Sequence, residues 1–248
     1  MHFIKFPLFL ILNLVETRSF SKTFSKNYSF FINLQVLLAH TLIVIGGAYI
    51  YLDSWKYYFR ELGGFPLYSF EVSNSLGLEL LKWLVALAVL DFFQYWAHFA
   101  MHKIPFLWKI HKIHHSDETM NSTTAARLHI GELFISLFLV YMPLFTLFDF
   151  NFAYQKWFFL FLSTWTILIH CSFRLPFNHI IEQFVTTPDY HLVHHTSEEK
   201  AFDMNFANYF PFWDRLFGTY YGIKKDEDLA TGVKNYRMDN AGDMFLIK

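Results

Sequence analysis

Cysteine is almost missing from this sequence: Cys171 is the one thiol in 248 residues. No internal disulfide framework can form, and no cysteine-rich zinc site. Any bound metal must therefore be held by nitrogen and oxygen. Charge is scarce too. Asp, Glu, Lys and Arg make up 17% of the chain, against about 25% in soluble domains. Hydrophobic residues reach 54%, with 32 Phe and 14 Tyr among them. Too few charges remain to coat a water-facing surface, so a membrane protein is expected. The net charge of −1, with no basic stripe interleaved with aromatics, argues against nucleic acid as a partner. Low-complexity segments are absent.

The apolar runs set the organisation. Phe6 to Val15 is too short to span a bilayer as a helix. No small-x-small cleavage site follows it; Glu16, Arg18 and Lys22 do. An interfacial anchor therefore fits better than a cleaved signal. Phe30 to Leu52 is a candidate span, close to the roughly 20 apolar residues a bilayer requires. His40, inside it, reads as a helix-contact histidine. Gly63, Gly64 and Pro66 then break helix. Leu76 to Met101 would make roughly 39 Å of helix at 1.5 Å per residue, longer than the hydrocarbon core. Its far end, with His98 and His102, should project past the membrane face. Pro105 ends or kinks that helix, and Phe106 to His115 predicts a short second one. Thr124 could cap the next helix. Runs 130–148 and 152–171 predict a transmembrane hairpin around a tight turn at Asp149 to Asn151, which returns His170 to the starting side. Thr187-Pro188 predicts a helix start, Thr as N-cap and Pro in the first turn. The aromatic stretch to Trp213 suits a membrane interface.

The fold class expected is all-α, with about four transmembrane helices and a histidine-rich cap. Residues 1–75 would form an anchor region, 76–222 the catalytic domain and 223–248 a tail. Lys103, Lys109, Lys112, Arg127, Arg174, Lys200 and Arg215 fall on the cap side; the 149–151 turn has no Lys or Arg. The positive-inside rule then puts the cap and both termini in the cytoplasm.

What is abundant is histidine. All but two of the 13, His2 and His40, lie between residues 98 and 195. Eight form three clusters: His98-x-x-x-His102, His111-x-x-His114-His115 and His191-x-x-His194-His195. On a helix, residues three and four apart share a face, so each cluster presents its imidazoles together. Imidazole is the common ligand of zinc, iron, copper and nickel. Eight nitrogens exceed the four of tetrahedral zinc, which suggests two metals with four or five nitrogens each. Asp91 lies two helical turns before His98 on the same face. It is read as the hydrogen-bond partner of a ligand histidine, or else as a structural bond elsewhere in the bundle. A zincin protease needs Glu after its first histidine; here Phe99 follows His98. Adjacency of Cys171 to His170 does not make a catalytic pair. No catalytic side chain beyond the metal ligands is expected. A metal site opening toward lipid could attack an unactivated C–H bond with O2, chemistry that belongs to the metal.

These motifs, in this order and flanked by apolar segments, resemble the fatty acid hydroxylase and sterol desaturase superfamily of membrane-bound, histidine-rich di-iron oxygenases. Three further stretches are similar to it. They are Asp91-Phe-Phe-Gln-Tyr-Trp-Ala-His98, Arg127-Leu-His129-Ile-Gly-Glu132, and Thr187-Pro-Asp-Tyr-His191 with Asn205-Phe and Trp213-Asp-Arg-Leu-Phe-Gly-Thr219. Phe99 stands where the family commonly has Arg, and Ile130 where it has Pro. The resemblance implies a di-metal centre held by His98, His102, His111, His114, His115, His191, His194 and His195. It adds His170 and His179 as ligands. His129 matches a family position, either at the metal or as a structural hydrogen bond near Glu132. The resemblance also implies two iron ions, O2, a lipid substrate and a separate electron-transfer protein. The mostly apolar first 75 residues leave no room for a cytochrome-b5-like domain. Imidazole alone would equally accept zinc. Hydroxylation or desaturation of a fatty acyl or sterol-like lipid is the leading expectation. The alternatives are a pterin-dependent ether-lipid-cleaving monooxygenase of the same superfamily and a non-catalytic membrane metal-binding or transport protein.

Overall fold

The computed structural model describes residues 31–39, 48–70, 75–150, 152–223, 227 and 229–247. The N-terminal anchor, His40 and part of the first expected span lie outside them. The chain is mostly helical. Residues 31–39 are helical, followed by α1 (Ala48–Glu61) and a three-residue strand β1 (Tyr68–Phe70).

The long helix α2 (Leu76–Lys103) is the axis of the fold. The Ser75 hydroxyl caps it by accepting from Leu78 N–H. At 28 residues it is about 42 Å long, as its composition predicts. Pro105 explains its end. The residue before a proline is driven out of the helical region, and Ile104 is extended at φ −96° and ψ 115°. Pro105 itself opens α3 (Pro105–His115) in the first turn, where its missing N–H costs nothing. The corner folds α3 back against the end of α2 and so brings the first two histidine clusters face to face.

A 3-10 turn (Ser122–Ala126) follows, with Asn121 as its cap. Thr124 belongs to that turn and does not cap the next helix; His129 does, accepting from Gly131 N–H through Nδ1 at 2.9 Å. Residues 130–147 form one helical run in three parts: α4 (Ile130–Ser136), a π segment (Leu137–Tyr141) and α5 (Met142–Leu147). Pro143 has no N–H to continue an α pattern, which accounts for the widened turn before it. The expected tight turn at 149–151 is instead a strand over its first two residues. β2 (Phe148–Phe150) pairs in parallel with β1, Tyr68 opposite Phe148, and Asn151 lies outside the described residues. The chain returns in α6 (Phe152–Ile169).

Ile130–Leu147 is the one stretch, among the described residues, long and apolar enough to cross a membrane by composition; Trp157–Ile169 is a shorter apolar helix. Ala86, Leu90, Val140, Leu144, Phe145, Phe158 and Leu162 form the contact between α2, the 130–147 run and α6. Outside this core, Leu80, Leu84, Phe134, Phe138 and Trp157 are exposed, an apolar outer surface of the kind lipid covers.

Short elements close the histidine end: α7 (Asn178–Ile181), α8 (Pro188–His194) and α9 (Phe212–Phe217). Thr187 caps α8 and Pro188 occupies its first turn. The tail folds back, and Met238 and Met244 pack with Ile32, Val36 and Ile113.

Candidate metal centre

Nine histidines meet where α2, α3, α6 and α8 end. Their ligand atoms fall into two groups: His98, His102, His111, His115 and His194, and His114, His170, His191 and His195. Within each group the ligand atoms lie within 4.8 Å of one another. Helix geometry explains the split. Each HxxHH motif gives its i, i+4 pair to one site and its i+3 residue to the other. On α3 the pair His111 and His115 serves the first site and His114 the second. On α8 the pair His191 and His195 serves the second and His194 the first. Both sites are thus built from the same two helices. α2 adds two imidazoles to the first site, and the end of α6 adds His170 to the second.

The outer nitrogens fix the inner ones. His98 Nδ1 donates to the Phe206 carbonyl at 2.8 Å, His194 Nδ1 to that of Met204 at 2.9 Å, His114 Nδ1 to that of Arg127 at 3.1 Å, and His170 Nδ1 to that of Thr166 at 2.6 Å. A carbonyl oxygen can only accept, so these Nδ1 atoms carry the proton and Nε2 keeps its lone pair. His102 Nδ1 donates to the Asp203 carboxylate at 2.9 Å and His111 Nδ1 to that of Glu132 at 2.9 Å.

The inner nitrogens face each other closely. Nε2 of His98 lies 3.0 Å from Nε2 of His111, and Nε2 of His114 lies 3.2 Å from Nε2 of His170. His191 and His170 approach to 3.0 Å, His194 and His115 to 3.1 Å. In the His98–His111 and His114–His170 pairs both outer nitrogens carry the protons, and two lone pairs at that distance repel unless a cation lies between them. Protons fill that role poorly, because burial pulls His111 down to about 3 and His170 to about 4. Burial, reinforced by neighbouring imidazoles, holds His114, His115, His191, His194 and His195 well below the ordinary histidine value. A metal bound at about 2.1 Å from each nitrogen holds neighbouring ligand atoms about 3.0–3.4 Å apart, the spacing seen here. His195 Nε2 is buried with no hydrogen-bond partner among the described residues, as an unshared ligand atom would be. The donor set therefore fits two metal ions.

Two expectations are corrected. His179 is exposed and stands outside both groups, because α7 is a single turn with no buried residue. Asp91 touches no histidine. Its carboxylate accepts from the main-chain N–H groups of Asn208 (2.9 Å), Tyr209 (3.2 Å) and Phe210 (2.8 Å), the structural alternative. His129 is also outside the groups and acts as the α4 cap. Glu132 and Asp203 are the outer carboxylates that sequence reasoning missed. Glu132 had a signal, an ionisable residue opening an apolar helix. Asp203, in a polar loop, had none.

Aromatic rings wall the first site. Phe206 is fully buried, with its ring centroid 5.1 Å from His102 and 5.6 Å from His194. Trp108 lies 5.0 Å from His102 and 5.5 Å from His115. These rings keep water from the imidazoles.

A family model described as fatty acid hydroxylase matches residues 83–219. The chain is 34% identical over 147 residues to alkylglycerol monooxygenase of Danio rerio, covering 56% of this chain and 30% of that protein. It is 31% identical over 150 residues to alkylglycerol monooxygenase of Homo sapiens, covering 56% and 30%. To lathosterol oxidase of Homo sapiens it is 30% identical over 165 residues, covering 64% and 49%. The chain thus spans from under a third to about half the length of these relatives. No solved structure matches it significantly.

Proposed function

The chain belongs to the fatty acid hydroxylase family, and from that membership we propose that it is an O2-dependent, non-haem di-iron membrane oxidoreductase. Its reaction hydroxylates a C–H bond of a lipid, or desaturates a C–C bond by removing two hydrogens. The observation that carries this reading is the convergence of nine buried imidazoles into two adjacent ligand groups.

Bound iron supplies the O2 activation that no side chain can provide. The chain's own residues do the rest. The nine imidazoles offer neutral nitrogens. The main-chain carbonyls of Phe206, Met204, Arg127 and Thr166, with Asp203 and Glu132, fix ring orientation. Phe206 and Trp108 exclude water. A separate protein supplies the electrons. Residues 76–222 form the catalytic domain and residues 1–75 the anchor region with the first of about four spans, with the metal centre at the cytoplasmic face. Charge placement supports that orientation: Lys103, Lys109 and Lys112 sit beside the ligands, and Arg127, Arg174, Lys200 and Arg215 fall on the same side, against Lys56 and Arg60 toward the other end. Ligands at helix ends disfavour a transporter, which would place polar groups in mid-span.

A second reading has its own support. Two of the relatives are alkylglycerol monooxygenases, so an alkylglycerol, oxidised with cleavage of its ether, is the alternative substrate.

Comparative lipidomics tests both readings. Membranes from cells making the wild-type chain should contain a lipid heavier by one oxygen, or lighter by two hydrogens. Loss of ether lipid to an aldehyde would select the second reading. His194→Ala should abolish either change. Identical lipids in both, with metal still bound to the wild type, would overturn the catalytic reading.

A further inference from the structure

The two ligand groups differ in what stands behind them. Four of the five imidazoles of the first site have a partner on the outer nitrogen, and two of those partners are carboxylates, Glu132 on His111 and Asp203 on His102. Among the described residues no carboxylate is hydrogen-bonded to an outer nitrogen of the second site. His114 and His170 reach only main-chain carbonyls, and His191 Nδ1 is buried with no partner among the described residues. The first site also has one more imidazole.

We propose that the first site is the tighter of the two metal sites, and that Glu132 and Asp203 are the positioning residues that make it so. This rests on the two-metal reading above. A carboxylate accepting the outer N–H makes an imidazole a better donor to a cation and locks its ring, and loss of such a partner typically weakens metal binding about 10–100-fold. A carbonyl orients the ring but brings no charge. With four imidazoles and no carboxylate hydrogen-bonded to them among the described residues, the second site holds its ion more weakly and leaves more of its coordination positions open to an incoming ligand.

The loop carrying Asp203 is built for this. Residues 203–206 place three acceptors against the first site: the Asp203 carboxylate and the carbonyls of Met204 and Phe206. Asp203 and Asn205 both adopt left-handed backbone, φ 59°, a conformation Asp and Asn tolerate better than most residues. Asn205 is fully buried and bonds the carbonyls of Tyr190 and Tyr221 at 3.1 and 2.9 Å. Asp214 takes the N–H groups of Phe206 (2.7 Å) and Ala207 (2.8 Å). Across the site, Gly131 lets α4 start against α3: a Cβ there would come within 3.1 Å of Ile110. That approach brings Glu132 to His111. Lys103 shares Asp203 at 2.6 Å and offsets part of its charge; Glu132 is buried and also accepts from the His129 main-chain N–H at 3.4 Å.

Zinc retention is the test. Purified holoprotein in detergent is equilibrated against Zn2+ buffered by chelators, and the retained zinc is counted per chain. The wild type should lose two ions in two resolved steps. His170→Ala should remove the weaker step and keep the tighter one. Asp203→Asn, which keeps an acceptor oxygen but not its charge, should weaken the tighter step about 10–100-fold and leave the other unmoved. Glu132→Gln should weaken it too, but it also disturbs the α4 cap, so Asp203→Asn is decisive. Loss of both ions in one step, a shift of the weaker step by Asp203→Asn, or loss of the tighter step in His170→Ala would overturn the proposal while leaving the two-metal reading intact. A wild type that retains no zinc would overturn that reading itself.

Discussion

Asp91 shows how one buried carboxylate can act on a metal site it does not touch. It gathers three N–H groups of residues 208–210, just beyond the Phe206 carbonyl that orients His98. Its own helix carries His98 two turns later. The residue therefore clamps the loop to the helix and fixes the distance between His98 and its acceptor. Leaving a buried donor without its acceptor costs about 1–3 kcal/mol. Asp91→Ala, which orphans all three donors, should thus remove several kcal/mol and lower the thermal midpoint in detergent sharply. Asp91→Asn, keeping one acceptor oxygen, should be milder. Equal midpoints for wild type and Asp91→Ala would contradict the role. The sequence made Asp91 legible as a group that needs partners, because a carboxylate in an apolar helix is costly when unpaired. It did not reveal which partners, since they lie more than 115 residues away as main-chain atoms that leave no mark in composition. His179 went wrong for the opposite reason: family position suggested a ligand, but a one-turn helix with no buried face cannot deliver its side chain inward.

At the scale of elements, the helices holding the ligands were the most legible part of the molecule. Spacing of three and four fixes a shared face whatever the tertiary context, so HxxxH and HxxHH announce converging imidazoles. The Pro105 corner and the Thr187-Pro188 start follow from equally local rules. What spacing could not show is the sharing out of each HxxHH motif between two sites, which depends on how α3 and α8 cross. The strand at 148–150 was illegible because its partner, β1, is remote in sequence. Helix α8 is only seven residues long, so its cap matters. Thr187→Ala should cost about 1 kcal/mol and lower the midpoint by about 2–4 °C for a chain of this size, with zinc in the second site lost more readily than in the first. An unchanged midpoint and unchanged retention would show that packing alone holds α8.

At the scale of the whole molecule, an apolar bundle carries a polar, metal-binding end. Composition already implied the bundle, since 17% charged residues cannot solvate a chain of this length. The polar end is where α3 folds back at Pro105 against the last turns of α2, and where the tail returns to cover Ile113. The central claim is that this end holds two metals on imidazole alone. X-ray absorption at the iron edge of the loaded protein, solubilised in detergent, tests it most directly. Two imidazole-bound irons should give a nitrogen and oxygen inner shell with outer scattering from four to five imidazoles per metal. A sulfur neighbour, or two imidazoles or fewer per metal, would contradict it.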